Sequence, residues 1–396
     1  MHVVILSMEY PPFIWGGIGT FAKNLAVGLC REGVEVTVVT GYPLPSNVKS
    51  IDTDEDNNPL LEVIRFPYLN LHPKGMFFQL TNLKKIYEAV SKSGADLVHG
   101  QCLSTFPALI RLKKLVPLVV TFHTSPKIER AIVAHSLLRG GSFEDFWTYM
   151  IGYPAWSIVF REELRNSSMA VAVSRNLMSE LLQEMGETYR PKMRTVHNGV
   201  DIETLDREYQ KVEDEVEESD DTILFAGRLE FRKGALNLIK LAHQLQKEKV
   251  DLRLIVHGTG SLFGRINKAV TDLGLTNIEL KGFTSRTELM RSMKKSKFLV
   301  IPSFYEACPM ILLEGMCLGK IPVMFDLPYS VEFTENGKYG VLAKNTKELV
   351  AKLKTMRENV DLKNLSNKMK DFGRKSYNMR NTSREYLDLY KALTER

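Results

Sequence analysis

The chain has 396 residues, 44% hydrophobic and 25% charged, enough for two domains with full cores. No run approaches about 18 uninterrupted apolar residues, so no membrane span is expected. The net charge of +6 is too mild for a nucleic-acid partner; it suits phosphate-bearing ligands or an anionic membrane surface.

The chain opens directly on an apolar strand, His2–Leu6, without the basic start and long apolar core of a secretory signal. Further strands read at Glu35–Thr40, Val63–Phe66, Leu97–Gly100, Leu118–Phe122 and Met169–Val173, with helical patterns such as Ile18–Glu32 and Leu80–Ser93 between them. Asp52–Pro59 reads as a polar surface loop. The aromatic-rich stretch at about 124–165 is too long for a plain connection and reads as a helical insertion. Asp206–Asp221 is acidic and apolar-poor, an exposed helix or linker whose charge solvation alone explains. The strand–helix rhythm then restarts at Thr222–Phe225, Leu252–His257, Ile278–Lys281, Phe298–Pro302 and Ile321–Met324. Alternation of this kind predicts two α/β domains, each a doubly wound parallel sheet. The expected division is 1–195 and 196–375, with a last helix over 376–396. Cys30, Cys102, Cys308 and Cys317 lack CxxC spacing and fit free thiols of a reducing, cytoplasmic setting.

Several short patterns can carry chemistry. Gly16-Gly17-Ile18-Gly19 follows the first strand and opens the first helix, where a backbone can approach a phosphate or sugar closely. Its spacing is neither GxGxxG nor a Walker A loop, and a tight turn explains it as well. Gly227-Arg228-Leu229-Glu230-Phe231-Arg232-Lys233-Gly234 follows the first strand of the second domain. Arg228 and Lys233 at that sheet edge can neutralise charge developing on a departing diphosphate; Glu230 and Arg232 read as solvated. His123 ends the strand Leu118–Phe122, and a satisfied structural histidine is the plainer explanation. His257-Gly258-Thr259-Gly260 closes another strand as a turn suited to lie near a phosphate. Phe304–Gly315 contains Glu306 and Glu314 with seven residues between them, the first in a loop after a strand and the second in a helix. A helix start at a parallel strand's carboxyl end binds phosphate, and a carboxylate on either side can hold sugar hydroxyls. Metal-ligand spacings and an Asp-x-Asp are not evident.

Taken together, Glu306/Glu314, Gly227-Arg228…Lys233-Gly234, Gly16-Gly17, Thr121-Phe122-His123 and Val196–Asp201 resemble the GT-B retaining glycosyltransferases of family GT4 over about residues 1–345. The resemblance implies two Rossmann-like domains facing a cleft, the first for an acceptor and the second for a nucleotide sugar, with the last helix crossing back to the first. It implies that Arg228 and Lys233 bind the donor diphosphate, Glu306 the sugar hydroxyls and Glu314 the ribose. The amides of Met310 and Ile311 would reach the phosphates, Gly282-Phe283 would flank the nucleobase, and His123 would contact the sugar near its reacting carbon. Gly16, Gly17, Gly227 and Gly258 complete the donor-binding set. No protein nucleophile and no metal or other cofactor is implied. A hexose would pass from UDP-glucose, GDP-mannose or a similar donor to a glycan, lipid-linked or small hydroxyl acceptor, in the cytoplasm or at the inner membrane face.

Two departures stand out. Cys308-Pro309 replaces the family's usual Phe-Gly, and Phe325–Glu332 replaces a Gly-rich segment, which points to an atypical sugar pocket. The opening Glu9-Tyr10-Pro11-Pro12…Gly16-Gly17 is also similar to glycogen synthases, leaving a glucan synthase as an alternative. A sugar-nucleotide epimerase or phosphorylase of the same fold and a non-catalytic nucleotide-sugar-binding protein are further alternatives.

Overall fold

The computed structural model describes residues 1–14, 16–44, 58–69, 74–134 and 136–395; the Asp52–Pro59 loop lies outside them apart from Asn58 and Pro59. The chain divides into two compact units. One is Met1–Lys127 with Gly152–Asp201 and Met379–Arg396; the other is Ile128–Ile151 with Ile202–Asn378.

The first unit contains β1 (His2–Leu6), α1 (Gly17–Arg31), β2 (Glu35–Leu44), β3 (Leu61–Leu69), α2 (Lys74–Ser93), β4 (Leu97–Gln101), α3 (Leu109–Leu112) and β5 (Leu118–Phe122). After β5 the chain passes through α4 (Pro126–Ala134), which belongs to the second unit from Ile128, and α5 (Phe143–Asn166), which belongs to the first from Gly152; then follow β6 (Met169–Ala172), α6 (Arg175–Met185) and β7 (Met193–Thr195). The strands pair in parallel in the order β3-β2-β1-β4-β5-β6-β7. Strands such as Leu97–Gln101 and Leu118–Phe122 are buried along their whole length, as expected when helices cover both faces of a parallel sheet.

The second unit repeats the plan. It holds α7 (Ile202–Gln210), β8 (Ser219–Ala226), α8 (Ala235–Lys247), β9 (Arg253–His257), α9 (Phe263–Asp272), β10 (Ile278–Gly282), α10 (Arg286–Lys295) and β11 (Ser296–Ile301). It continues with α11 (Met310–Cys317), β12 (Ile321–Phe325), α12 (Pro328–Phe333), β13 (Val341–Ala343), α13 (Thr346–Asn359) and α14 (Leu362–Ser376). Its parallel order is β10-β9-β8-β11-β12-β13. The chain ends in α15 (Met379–Thr394), which belongs to the first unit and packs on α1. There Tyr390 and Tyr386 reach under the central strands β4 and β5: Tyr390 OH lies 2.6 Å from His99 Nδ1 and Tyr386 OH 3.0 Å from Thr121 Oγ1.

Three features differ from the sequence reading. The units part after Asp201 rather than at 195, because Val196 packs in the first core and Asp201 pairs with Arg31 at 3.1 Å. Residues 128–151, assigned by sequence to the first domain, group with the second unit, where Glu129 pairs with Arg232 and Ile132 packs on the core. The acidic segment is not merely solvated. Glu218 holds the buried Lys320 and Lys297 at 2.7 and 3.0 Å, and Asp206 binds Arg374. Burying those lysines unpaired would carry a large desolvation cost, which explains the acids.

In both sheets the winding reverses once, between β1 and β4 and between β8 and β11. Loops leaving the carboxyl ends of such neighbours run to opposite faces and open a crevice, the usual ligand position in doubly wound folds. Gly16-Gly17 follows β1; the Gly227–Gly234 loop follows β8, and Pro302–Pro309 follows β11.

Candidate functional site

The strongest cluster lies at the second unit's switch point. Lys233, from the β8 loop, places Nζ 2.7 and 2.9 Å from the carboxylate oxygens of Glu306, from the β11 loop. Ser303 Oγ also donates to Glu306 at 2.6 Å, and Tyr329 OH donates to the Ser303 carbonyl at 2.8 Å. Burial works to raise Glu306's pKa, but the charges of Lys233 and Arg232 and the bonds from Lys233 and Ser303 outweigh it, holding the carboxyl below its usual range. For Lys233 burial is the larger influence and holds the amine below its usual value, against the pull of Glu306. The Glu306 carboxyl is therefore ionised at neutral pH, with the Lys233 amine set against both of its oxygens.

The loop carrying Lys233 is shaped by two close approaches. Gly234 has φ +68°, and a Cβ there would sit 1.8 Å from the Pro302 carbonyl oxygen. Gly258 has φ +128°, and its Cβ would sit 1.9 Å from the Gly227 carbonyl oxygen. Both need glycine's freedom and its missing side chain. Gly227 N–H donates to the His257 carbonyl at 3.1 Å, so the ends of β8 and β9 are tied together. Arg228 stays half exposed and is steadied by Glu230 at 2.7 Å.

Met310 and Ile311 open α11, with Pro309 at the cap position. The first N–H groups of a helix have no intrahelical acceptor and carry the positive end of its dipole. One turn on, Glu314 Oε2 accepts from Arg286 Nη1 at 2.7 Å. At the end of β10, Phe283 is 86% exposed. Its neighbour Thr284 is anchored by His257, whose Nδ1 lies 2.7 Å from Thr284 Oγ1. The second unit thus gathers two cations, a helix start, two acidic groups and an exposed ring, a set able to bind a diphosphate flanked by hydroxyl-bearing groups and a flat base.

In the first unit, Gly16 N–H donates to Glu9 Oε2 at 3.0 Å, closing the turn that starts α1 at Gly17. His123 follows β5; its Nε2 lies 2.6 Å from Gln101 Oε1 and its ring packs edge-on to Phe21. Burial lowers the His123 pKa to about 3, so the ring is neutral. Behind the same edge, Glu163 accepts from Thr105 Oγ1 at 2.5 Å and from Leu103 N–H at 3.1 Å.

Gly16, Gly17 and His123 thus lie in the first unit. Gly227, Arg228, Lys233, Gly258, Phe283, Glu306, Met310, Ile311 and Glu314 lie in the second. Glu230 and Arg232, read as solvated, are neither: Glu230 holds Arg228, and Arg232 is buried against Glu129 at 3.3 Å and the Tyr305 carbonyl at 3.3 Å. Sequence reasoning missed Ser303, Tyr329, Arg286, Glu208 and Gln101. Tyr329, Arg286, Glu208 and Gln101 each act through a partner distant in the chain, so local patterns carry no trace of them; Ser303 lies only three residues before its partner Glu306 and was within reach of that motif.

The family model described as Glycosyl transferases group 1 matches residues 206–376, and that described as Glycosyltransferase Family 4 matches residues 15–204. An uncharacterised glycosyltransferase of Methanocaldococcus jannaschii is 26% identical over 357 residues, covering 86% of this chain and 84% of its own. The sucrose-phosphate synthase of Thermosynechococcus elongatus superposes with a TM-score of 0.78 at 17% identity, over 99% of this chain and 98% of that one. Anabaena HepE, in complex with UDP and glucose, superposes with a TM-score of 0.71 at 17% identity, over 99% and 100%.

Proposed function

The chain belongs to the GT4-type glycosyltransferases of GT-B fold, and from that premise we propose that it moves a hexose from a nucleotide sugar to a hydroxyl acceptor with retention of anomeric configuration and without a metal ion. The observation that carries this reading is the buried Lys233–Glu306 pair at the second unit's switch point, beside the start of α11. UDP-glucose is the first donor to test, supported by the UDP and glucose bound to HepE. A glycan or lipid-linked acceptor is supported by apolar side chains at the surface of the 128–151 segment, Leu138, Phe143 and Trp147.

Arg228, Lys233 and the Met310 and Ile311 amides face the diphosphate, where negative charge grows as the bond from the anomeric carbon to phosphate oxygen breaks. Two protein cations and a helix dipole supply the countercharge that a divalent ion supplies elsewhere. Glu306, with one edge fixed by Lys233 and Ser303, takes sugar hydroxyls; Glu314 takes the ribose and Phe283 lies against the base. His123, in the first unit, is neutral and can accept or donate a hydrogen bond to a sugar without adding charge. The acceptor oxygen bonds to the anomeric carbon on the face the diphosphate leaves, and its proton passes to the departing phosphate oxygen. The protein's part is positioning and charge stabilisation.

The test is nucleoside diphosphate release from UDP-glucose, GDP-mannose and ADP-glucose, with and without EDTA, with NMR assignment of the product anomer. The expected outcome is turnover of one donor class, insensitive to EDTA, giving an α-linked product from an α-linked donor. Loss of turnover in EDTA would overturn the metal-free mechanism, and a β-linked product would overturn retention.

A further inference from the structure

Three helices of the second unit meet at one guanidinium. Arg286 is the first residue of α10, behind the Ser285 cap whose hydroxyl accepts from Glu288 N–H at 3.2 Å. Its Nε donates to Glu208 Oε2 of α7 at 2.9 Å, and its Nη1 donates to Glu314 Oε2 of α11 at 2.7 Å. Glu314 is 7% exposed, and among the described residues no other hydrogen bond engages its carboxylate. One oxygen is thus fixed while the other remains for a ligand. Burial works against the charge on Arg286, yet the two carboxylates outweigh it and hold its pKa above the usual value. Arg286 directly follows the β10–α10 connection that carries Phe283, and His257 pins that connection through Thr284.

We infer that Arg286, braced by Glu208, is a positioning residue that orients Glu314 toward the ribose diol and so makes the donor site prefer ribo- over deoxyribonucleotides. The inference rests on the assignment of Glu314 to the ribose. A carboxylate on a helix has several rotamers, and only one presents an oxygen to a vicinal diol. A fork donor reaching two acids at once removes that freedom, which a point-charge lysine cannot do equally well. The brace also gives a role to the acidic residue that α7 turns toward this arginine. Glu208 balances the arginine so that Glu314 is oriented without being wholly neutralised.

The experiment is isothermal titration of the full-length protein with UDP and 2′,3′-dideoxy-UDP, and with the guanosine pair if uridine nucleotides do not bind. Wild type, Arg286→Ala, Arg286→Lys, Glu314→Gln and the Arg286→Ala/Glu314→Gln double variant are compared, with folding verified by circular dichroism. Wild type is expected to favour the ribonucleotide by about tenfold or more, the worth of a charge-assisted hydrogen bond. Arg286→Ala is expected to lose most of that preference while binding the dideoxy form as wild type does, and Arg286→Lys to fall between. In the double variant, loss of Arg286 adds nothing to loss of Glu314. A merely structural staple would weaken both nucleotides equally. Full preference retained in folded Arg286→Ala, or equal weakening of both ligands, overturns the inference while leaving the ribose assignment standing. Absence of any preference in wild type overturns the ribose assignment itself. Should Arg286→Ala fail to fold, Arg286→Lys and Glu208→Gln decide the matter on the same ratio.

Discussion

Lys233 Nζ lies within 2.9 Å of both carboxylate oxygens of Glu306, although 73 residues separate the two in the chain. They meet because β8 and β11 are neighbours at the point where the sheet's winding reverses, so their following loops share one crevice. Removing the amine leaves a nearly buried carboxylate without its counter-ion. Lys233→Ala should destabilise the protein by about 3 kcal/mol, read from urea unfolding. Glu306→Gln keeps the volume and the Ser303 contact, and should lower transfer by about a hundredfold or more with a smaller stability loss.

Gly234 should tolerate no side chain. Its φ of +68° and the Pro302 carbonyl oxygen 1.8 Å from an added Cβ mean that Gly234→Ala must move backbone. A loss of about 2 kcal/mol or more is expected in chemical denaturation, with activity falling as Lys233 shifts. Gly33 makes a suitable control: its φ is +79° but an added Cβ meets nothing within 4 Å, so alanine there carries the dihedral strain alone.

Phe283 should be dispensable for folding and important for binding. At 86% exposed it contributes little to the core. Phe283→Ala should leave the melting temperature unchanged while weakening nucleotide binding about five- to tenfold by titration, the worth of one stacked base.

Stability should depend on pH through buried groups of opposite sign, Glu163 on one side and the histidines His99 and His123 on the other. Burial raises the Glu163 pKa from 4.5 to about 7, against hydrogen bonds from Thr105, Leu103 and Phe106. A carboxyl whose folded value exceeds its unfolded one gives a stabilising contribution that is full below 4.5 and lost as pH rises toward 7. His99, packed between Tyr390 and Thr121, is lowered by burial from 6.5 to about 3, so its contribution is present above 6.5 and lost as pH falls toward 3. Glu163→Gln should abolish the first dependence and spare the second. Urea midpoints of the two proteins across this range provide the check: their difference should change between about pH 4.5 and about 7 and be flat above.

The sequence carried the fold well where long apolar runs alternate with amphipathic helices. His2–Leu6 and Leu118–Phe122 are observed as read, because a strand buried on both faces leaves an unbroken apolar signature. The three-residue strands Met193–Thr195 and Val341–Ala343 went unread, since their length holds no period. Candidate site residues were read from the local motifs at Gly227–Gly234 and Phe304–Gly315, whose Lys233 and Glu306 the fold brings into contact. Glu208 and Arg286 were illegible because their partners lie 78 and 28 residues away and only tertiary packing joins them. Arg232 misled for the same reason: an arginine in a loop with Arg228, Glu230 and Lys233 reads as solvated until Glu129 is found beside it.

The most direct measurement is titration of UDP-glucose, GDP-mannose and ADP-glucose into wild type and Arg228→Ala. Arg228 is 52% exposed, so its removal tests the diphosphate site without disturbing the core. One donor should bind wild type and bind Arg228→Ala about tenfold more weakly or worse, at unchanged melting temperature. Equal binding by both proteins, or no binding of any of the three to folded wild type, would contradict a nucleotide-sugar site at Arg228 and Lys233.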